Sequence, residues 1–261
     1  MQIRPPAVAG TFYPGTRAEL LTAVDGYLAA AQPDVGPPPK AVVVPHAGYV
    51  YSGPIAGSGW AAVRPIADRI RRVVMLGPAH REWADGSALP GGKAFATPLG
   101  ECPIDQAGHA LAARQSGVEI LPEVHAAEHS LEVQVPFIQR LLPQAAIVPI
   151  LVGGGSPAAV AALLDALWGG EETLIAVSTD LSHYLPYAEA QRLDRACADA
   201  VLALDDRAVQ NRMACGHQPL RALLRVARAR KLAARLLDLR NSGDTQESRG
   251  EVVGYAAFAF S

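Results

Sequence analysis

The chain has 261 residues, of which half are hydrophobic and 18% are charged, and its formal net charge at pH 7 is −2. This composition is typical of a globular protein and excludes a disordered chain. The nearly balanced charge gives no electrostatic reason to expect binding to nucleic acid or to an anionic membrane surface. Because no shift in composition marks a boundary, we expect one domain over residues 1–261.

Targeting signals and cysteine usage indicate where the protein works. The start of the chain, from Met1 to Pro6, lacks the basic and then apolar pattern of a signal peptide, and no stretch approaches the roughly 18 apolar residues of a membrane span. We therefore expect a cytoplasmic protein. The three cysteines are far apart and odd in number, so we expect reduced thiols, with Cys102 and Cys197 structural and Cys215 available for chemistry.

Strand and helix patterns alternate along the chain. A capping-box sequence at residues 16–19, followed by helical apolar spacing, predicts a first helix to about residue 30. The same reasoning predicts helices over 54–63, 105–116, 130–142, 157–168, 188–204 and 219–229, and strands over 41–44, 73–76, 146–152, 174–177, 234–239 and 252–260. Residues 85–103, rich in glycine and proline, are expected to be loop with at most a short edge hairpin. The alternation predicts an α/β fold with a central, largely parallel or mixed sheet flanked by helices on both faces.

Two of the predicted strands lead through a proline to a histidine. The first runs into Pro45-His46, and the second runs into Pro78-Ala79-His80. Proline ends a strand because it has no N–H to donate to the ladder. Each histidine therefore lies just past the carboxyl end of a strand, which is the edge where open α/β sheets bind ligands. Two imidazoles at this edge predict a metal site or an acid/base site.

Other chemistry-bearing residues follow later elements. Asp180 and His183 come after a third buried strand, and three such strand ends favour a functional site over isolated packing histidines. Cys215 lies just before a helix with Pro219 in its first turn. The positive end of that helix dipole is expected to favour the thiolate, which suits metal ligation or nucleophilic chemistry. His125, by contrast, is expected to be a surface residue.

The sequence Glu128-His129-Ser130-Leu131-Glu132 opens a predicted helix, with Ser130 as a suitable N-cap. Two interpretations of Glu128 and Glu132 are about equally favoured. The glutamates stabilise the start of the helix electrostatically, or they support the site or act in its acid/base chemistry. Asp244 follows the penultimate strand and could reach the same rim, although Asn-Ser-Gly-Asp is equally a plain turn sequence.

Several motifs in a fixed order run along essentially the whole chain. They are Ala9-Gly10-Thr11-Phe12-Tyr13-Pro14, Pro45-His46-Ala47-Gly48-Tyr49, Gly77-Pro78-Ala79-His80, the Glu128 to Glu132 segment, Ser178-Thr179-Asp180-Leu181-Ser182-His183-Tyr184, Cys215-Gly216 and Val253-Gly254-Tyr255. Together they resemble the Memo family, also called AmmeMemoRadiSam system protein B. The resemblance implies a single α/β domain similar to the class III extradiol dioxygenases, which cleave catechol rings with Fe(II).

The resemblance also implies which residues bind metal. It places metal ligands at His46, His80 and Cys215, with Asp180 and His183 beside them. The dioxygenases use a glutamate where this pattern has the cysteine, and this departure argues against cleavage of a catechol ring. The resemblance further suggests partners, namely a radical-SAM enzyme and an AMMECR-type protein.

Two neutral imidazoles and a thiolate can hold Fe(II) or copper, and also Zn(II), with open positions left for ligands. With such a metal, His183 would be the general base, oriented by Asp180, and His129 is the second candidate for that proton. We expect a metal-dependent, dioxygenase-like oxidoreductase that acts on a small organic molecule. The alternatives are a non-enzymatic metal- or peptide-binding protein and a zinc hydrolase. The oligomeric state is left open.

Overall fold

Short runs of apolar residues separated by helices build the molecule. The structure, a computed structural model, describes residues 3–32, 34–246 and 249–261, so that residues 1, 2, 33, 247 and 248 lie outside the described residues. The strands are β1 (Ile3–Arg4), β2 (Ala41–Val44), β3 (Arg72–Pro78), β4 (Ser87–Leu89), β5 (Ala94–Thr97), β6 (Gly100–Pro103), β7 (Val118–Ile120), β8 (Ala146–Val152), β9 (Thr173–Ser178), β10 (Ala234–Asn241) and β11 (Gly254–Phe260).

The helices fall between these strands and cover both faces of the larger sheet. They are α1 (Arg17–Ala30), α2 (Tyr49–Ala61), α3 (Gln106–Ala112), α4 (Pro122–Ala126), α5 (Val135–Leu141), α6 (Pro157–Ala166), α7 (Tyr187–Leu202), α8 (His217–Ala229) and α9 (Ser242–Thr245), with 3₁₀ turns at Arg64–Arg69, Glu132–Gln134 and Asn211–Met213. No helix in the described part of the chain is long and apolar enough to cross a bilayer.

The larger sheet has eight strands in the order β10-β11-β2-β9-β3-β8-β4-β7. Its centre, β2-β9-β3-β8, is parallel, whereas β11 pairs antiparallel with both β10 and β2, and β4 pairs antiparallel with β8. The predicted mixed α/β sheet is confirmed. The C-terminal strand β11 is interior to the sheet and does not form its edge.

Alternation of side chains along the parallel strands explains why helices are needed on both faces. Val42 and Val44 of β2 pack in the core on the side of α1, α2 and α5, whereas Val43 packs on the side of α6, α7 and α8. Strands that are apolar on both faces must be covered on both, which is typical of parallel sheets. Strands β2, β3 and β9 are therefore covered on both faces and are accessible only at their ends.

Residues 85–103 hold more structure than the sequence indicates. They contain β4, which belongs to the central sheet, and the β5–β6 hairpin, which joins β1 in a separate three-stranded sheet. The hairpin agrees with the expected one. The prediction of loop for residues 87–89 is wrong, because this strand is stabilised by pairing with β8 and β7, which are distant in sequence.

Two helix starts also differ from the prediction. The helix expected over 130–142 begins as a 3₁₀ turn and becomes α-helical only at Val135, and Ser130 does not cap it but donates its Oγ–H to the Pro78 carbonyl at 2.8 Å. Helix α2 begins at Tyr49, so that Pro54 lies inside it. A proline there leaves the carbonyl four residues earlier without its N–H partner. The Gln246 side chain donates to that carbonyl, on Val50, at 3.1 Å.

A buried ion pair fixes the N-terminal segment to the body of the fold. Arg4 Nη1 lies 2.6 Å from Glu132 Oε2, and both side chains are buried. The same carboxylate accepts the backbone N–H groups of Ala7 and Val8 and the Tyr13 hydroxyl. Glu132 thus organises the segment that carries Phe12, and it is a structural residue rather than a helix cap.

Because Glu132 accepts from four donors without access to water, we expect Glu132→Gln to lower the free energy of unfolding by about 3–5 kcal/mol. The amide would turn an N–H group toward other donors. Urea unfolding measures the loss, with Glu171→Gln as the control, since Glu171 forms an exposed ion pair with Arg69 and should matter little. Equal effects of the two substitutions would contradict this role.

His125 is buried, so the expectation that it lies at the surface is wrong. Its Nε2 donates to the Ala88 carbonyl at 2.9 Å, and its own carbonyl accepts from Arg4 Nε at 2.7 Å. Burial lowers the pKa of His125 to about 4. The neutral ring is therefore the form that the folded protein holds.

This burial predicts a pH dependence of stability. Between about pH 6.5 and pH 4 the unfolded chain binds a proton at His125 that the folded chain does not, so acidification through this window should cost up to about 3 kcal/mol of stability. Above pH 6.5 none of this stability is lost. His125→Gln keeps a donor for the Ala88 carbonyl but does not titrate, so urea unfolding at pH 7 and pH 4.5 should show a smaller difference than in the unsubstituted protein. An unchanged difference would contradict the assignment.

Candidate metal centre

Three strand ends meet at one edge of the central sheet. Val44 and Ser178 are paired in register at the ends of β2 and β9, and the Thr179 N–H extends the ladder by donating to the Val44 carbonyl at 2.9 Å. Two residues on, the His46 N–H donates to Asp180 Oδ1 at 2.7 Å. The tip of β2 is therefore tied to the tip of β9 by both backbone and side-chain hydrogen bonds.

The third strand end and the loop before α8 complete a group of potential metal ligands. The side chains of His46, His80 and Cys215 each offer a ligand atom within 4.8 Å of the others. His46 Nε2 lies 3.3 Å from Cys215 Sγ, and the His46 and His80 rings meet edge to face with centroids 5.2 Å apart. The structure thus brings together the three predicted metal ligands.

Cys215 is held by the segment after β9. The Asp180 N–H donates to Cys215 Sγ at 3.3 Å, and the Cys215 N–H donates back to the Asp180 carbonyl at 3.2 Å. At Gly216 a Cβ would lie 2.7 Å from Thr179 Cβ, so this close approach requires glycine. Burial and the nearby Asp180 carboxylate raise the pKa of Cys215 to about 12. The thiolate that the helix dipole was expected to stabilise is therefore not the form of the metal-free site. A metal ion that binds there must displace the thiol proton.

Glu128 holds the loop that carries His80. Its carboxylate accepts the backbone N–H groups of His80, His129 and Ser130, and its Oε1 lies 3.0 Å from His80 Nδ1 and 3.1 Å from His129 Nδ1. Burial alone would raise the pKa of Glu128, but the hydrogen bonds from His129 and His80 outweigh burial and hold that pKa well below its usual range. Since an anionic carboxylate only accepts, His80 donates from Nδ1 and leaves Nε2 free.

The predicted acid/base residues lie around the same group. The ring of His129 stacks on that of His80 with centroids 4.9 Å apart, and the Phe12 ring packs 4.7 Å from it on another side. His183 Nδ1 is 2.8 Å from the Leu181 carbonyl, which can only accept, so Nδ1 donates and the lone pair of the neutral ring is on Nε2. Asp180 is buried, and burial raises the pKa of its carboxyl.

Two cavities open onto this group of side chains. The larger, of about 680 Å³, is lined by Phe12, Tyr51, Arg81, Tyr184, Glu251 and Tyr255 together with His46, His80, His129, Asp180 and His183. The smaller, of about 480 Å³, is lined by Leu185, Glu189, Leu193, Asn211 and Arg212 together with Cys215, His80 and His183. His80 and His183 face both cavities, so the three candidate ligands lie where the cavities adjoin.

The chemistry of these side chains fits a transition metal. Burial and the neighbouring histidines lower the pKa of His46 well below its usual value, which keeps a neutral imidazole available. Two imidazole nitrogens and one sulfur form a three-ligand set suited to iron, copper or zinc. A second possible set, His80, Glu128 and His129, is less suitable because the Glu128 carboxylate already accepts hydrogen bonds from the His80 ring and from the backbone N–H of His129.

Some residues singled out in the sequence lie elsewhere. Asp244 forms a capping box with Asn241 and accepts the Tyr187 hydroxyl, and it does not line the larger cavity. Cys102 and Cys197 are buried, as expected for structural cysteines. Sequence reasoning missed Ser178, whose Oγ lies 2.9 Å from His46 Nδ1. A serine directly after the apolar run Leu174 to Val177 of a buried strand is the signal that could have indicated it.

Comparison with known proteins agrees with these features. A family model for Memo-like proteins matches residues 4–259. A MEMO1 family protein of Aeropyrum pernix is 35% identical, with 98% of this chain and 99% of the relative covered, and one of Aquifex aeolicus is 34% identical over the whole of both chains. The MEMO1 family protein MTH_45 of Methanothermobacter thermautotrophicus is 35% identical, with 97% and 99% covered. On this evidence the chain belongs to the Memo family.

Proposed function

We propose that this protein is a metal-dependent, dioxygenase-like oxidoreductase that acts on a small organic molecule in the larger cavity. The observation that supports this most is the position of the His46, His80 and Cys215 side chains, which meet beside that cavity, whose wall also holds the rings of His129 and His183. Iron or copper would supply redox and Lewis-acid chemistry when bound. The same three side chains would hold the ion.

In this proposal His183 is the general base. Its Nδ1–H is used by the Leu181 carbonyl, so Nε2 can take a proton from a substrate hydroxyl in the cavity. The Leu181 carbonyl orients the ring, a role that the sequence assigned to Asp180. Asp180 instead orients the His46 backbone, while its buried carboxyl lines the cavity. His129, which is stacked on His80, is the second candidate for the proton.

The walls of the larger cavity favour a planar substrate. Phe12, Tyr51 and Tyr255 line it, and aromatic rings pack well against a flat, partly apolar molecule. The guanidinium of Arg81 in the same wall can bind a carboxylate. A phenol that also carries a carboxylate therefore matches both features.

The zinc hydrolase alternative has less support. A hydrolase needs a carboxylate that is free to take a proton from water. Two carboxylates are candidates, Asp180 and Glu128. The Glu128 carboxylate already accepts several N–H groups, which stabilise its charged form and reduce its basicity. Asp180 lines the cavity, but its Oδ1 already accepts the His46 N–H at 2.7 Å. Cytoplasmic location and partnership with radical-SAM and AMMECR-type proteins stay predictions from the sequence.

Metal binding tests the first half of the proposal. We expect the metal-free protein to bind about one Fe(II), copper or Zn(II) ion per chain in anaerobic titrations, because three donors converge. His46→Ala, His80→Ala and Cys215→Ser should each weaken binding on the order of 100-fold. His109→Gln and Cys197→Ala replace the same residue types outside the site and should bind normally. Unchanged binding in the three site variants would contradict the assignment.

Catalysis tests the second half. With 3,4-dihydroxybenzoate as the probe, we expect O₂ consumption by the iron- or copper-loaded protein. His183→Gln should lower the rate about 100-fold or more without loss of metal, because it removes the base and not a ligand. His109→Gln is again the control. O₂ consumption that is unaffected by His183→Gln would contradict the role of His183, and stoichiometric metal without O₂ consumption with this probe or a panel of phenols would favour a binding protein.

A further inference from the structure

A serine hydroxyl next to the His46 ring has three hydrogen-bonding neighbours. Ser178 Oγ lies 2.6 Å from the Ser130 carbonyl oxygen, 2.9 Å from His46 Nδ1 and 3.1 Å from Gln134 Nε2. All four residues are buried, so water does not substitute for a missing partner. A serine hydroxyl has one proton to donate and two lone pairs to accept with. The question is which of the three neighbours receives the proton.

The orientation of Gln134 follows from an indole. Trp60 Nε1–H can only donate, and it lies 3.0 Å from Gln134 Oε1. The amide nitrogen of Gln134 then faces the other way, 2.7 Å from the Pro45 carbonyl and 3.1 Å from Ser178 Oγ. Both amide protons are therefore donated, one of them to the serine. Trp60 thus orients the Gln134 amide so that its nitrogen faces Ser178.

Only one arrangement gives every group in this network a partner. The Ser130 carbonyl can only accept, so it takes the Ser178 proton, and the Gln134 amide donates into one serine lone pair. The second lone pair remains for His46. If His46 Nδ1 carried a lone pair instead, one serine proton would have to serve two buried acceptors, which is unfavourable.

We infer that Ser178, itself fixed by Gln134 and Ser130, is a positioning residue that keeps the proton of the neutral His46 ring on Nδ1 and leaves Nε2 toward Cys215 free to bind a metal ion. Its effect on metal affinity rests on the proposed function, whereas the position of the proton does not. With His80 and His183 donating from Nδ1 to Glu128 and to the Leu181 carbonyl, the three rings share one tautomer.

The tautomer can be measured in the metal-free protein. Long-range ¹H–¹⁵N NMR of histidine-labelled protein at neutral pH distinguishes Nδ1–H from Nε2–H, and the signals of His46 are identified by their absence from His46→Gln. We expect Nδ1–H. A predominantly Nε2–H ring in the unsubstituted protein would overturn the inference, with no need for any variant to fold.

The role of the serine is tested by its removal. In Ser178→Ala the ring loses its acceptor at Nδ1, whereas an Nε2–H can still donate to Cys215 Sγ, so the His46 signals should shift toward Nε2–H. Affinity for Zn²⁺ should fall roughly 10–100-fold. Ser178→Thr keeps the hydroxyl and should restore the Nδ1–H tautomer. Ser182→Ala is the matched control, since Ser182 is also buried and its Oγ makes no hydrogen bond to His46, Ser130 or Gln134.

The results separate this inference from the proposed function. An Nδ1–H ring that shifts in Ser178→Ala, in a protein that binds no metal, would support the inference about the proton and contradict the metal-dependent function. Normal Zn²⁺ binding by a protein whose His46 tautomer is the same with and without the Ser178 hydroxyl would overturn the inference and leave the function intact. Equal losses of affinity in Ser178→Ala and Ser182→Ala would also count against a specific role for Ser178.

Discussion

Parallel pairing of β2, β9 and β3 is the constraint on which the candidate site depends. Because the three strands run in one direction, the segments that follow them all leave the sheet at the same edge. The register that pairs Val44 with Ser178 brings the His46 N–H to the Asp180 carboxylate two residues later. The same segment after β9 then holds the loop of Cys215 by reciprocal backbone and sulfur hydrogen bonds. One register thus positions two of the three candidate ligands.

The histidines at this edge are oriented by different groups with a common result. A serine hydroxyl faces Nδ1 of His46, a carboxylate faces Nδ1 of His80, and a backbone carbonyl faces Nδ1 of His183. Each ring is fixed in place by a bond on the side away from its Nε2. Orientation by hydrogen bonds at the remote ring nitrogen is how proteins commonly prepare imidazoles for metal binding or proton transfer. Glu128 can orient His80 from a buried position because its carboxylate accepts several N–H groups, which stabilise its negative charge.

The sequence indicated those features that depend on local pattern. Apolar runs that end in proline located β2 and β3 and hence His46 and His80, and the Thr16 cap of α1 was also recognised. The features that the sequence pattern did not indicate depend on contacts between distant segments. Glu132 is buried because Arg4, 128 positions away, neutralises it. The serine at the end of β9 gains its role only when Gln134 and Ser130 pack against it. Likewise, the proximity of Cys215 to His46 was implied by family resemblance and not by spacing.

The central claim is that His46, His80 and Cys215 bind one metal ion together. X-ray absorption spectroscopy at the zinc edge of the Zn²⁺-loaded protein tests this most directly, because it counts the atoms in contact with the ion. The claim predicts one sulfur at about 2.3 Å and two imidazole nitrogens at about 2.0–2.1 Å, with lighter atoms completing the coordination. A coordination sphere of nitrogen and oxygen alone would contradict it, since the ion would then lie away from Cys215.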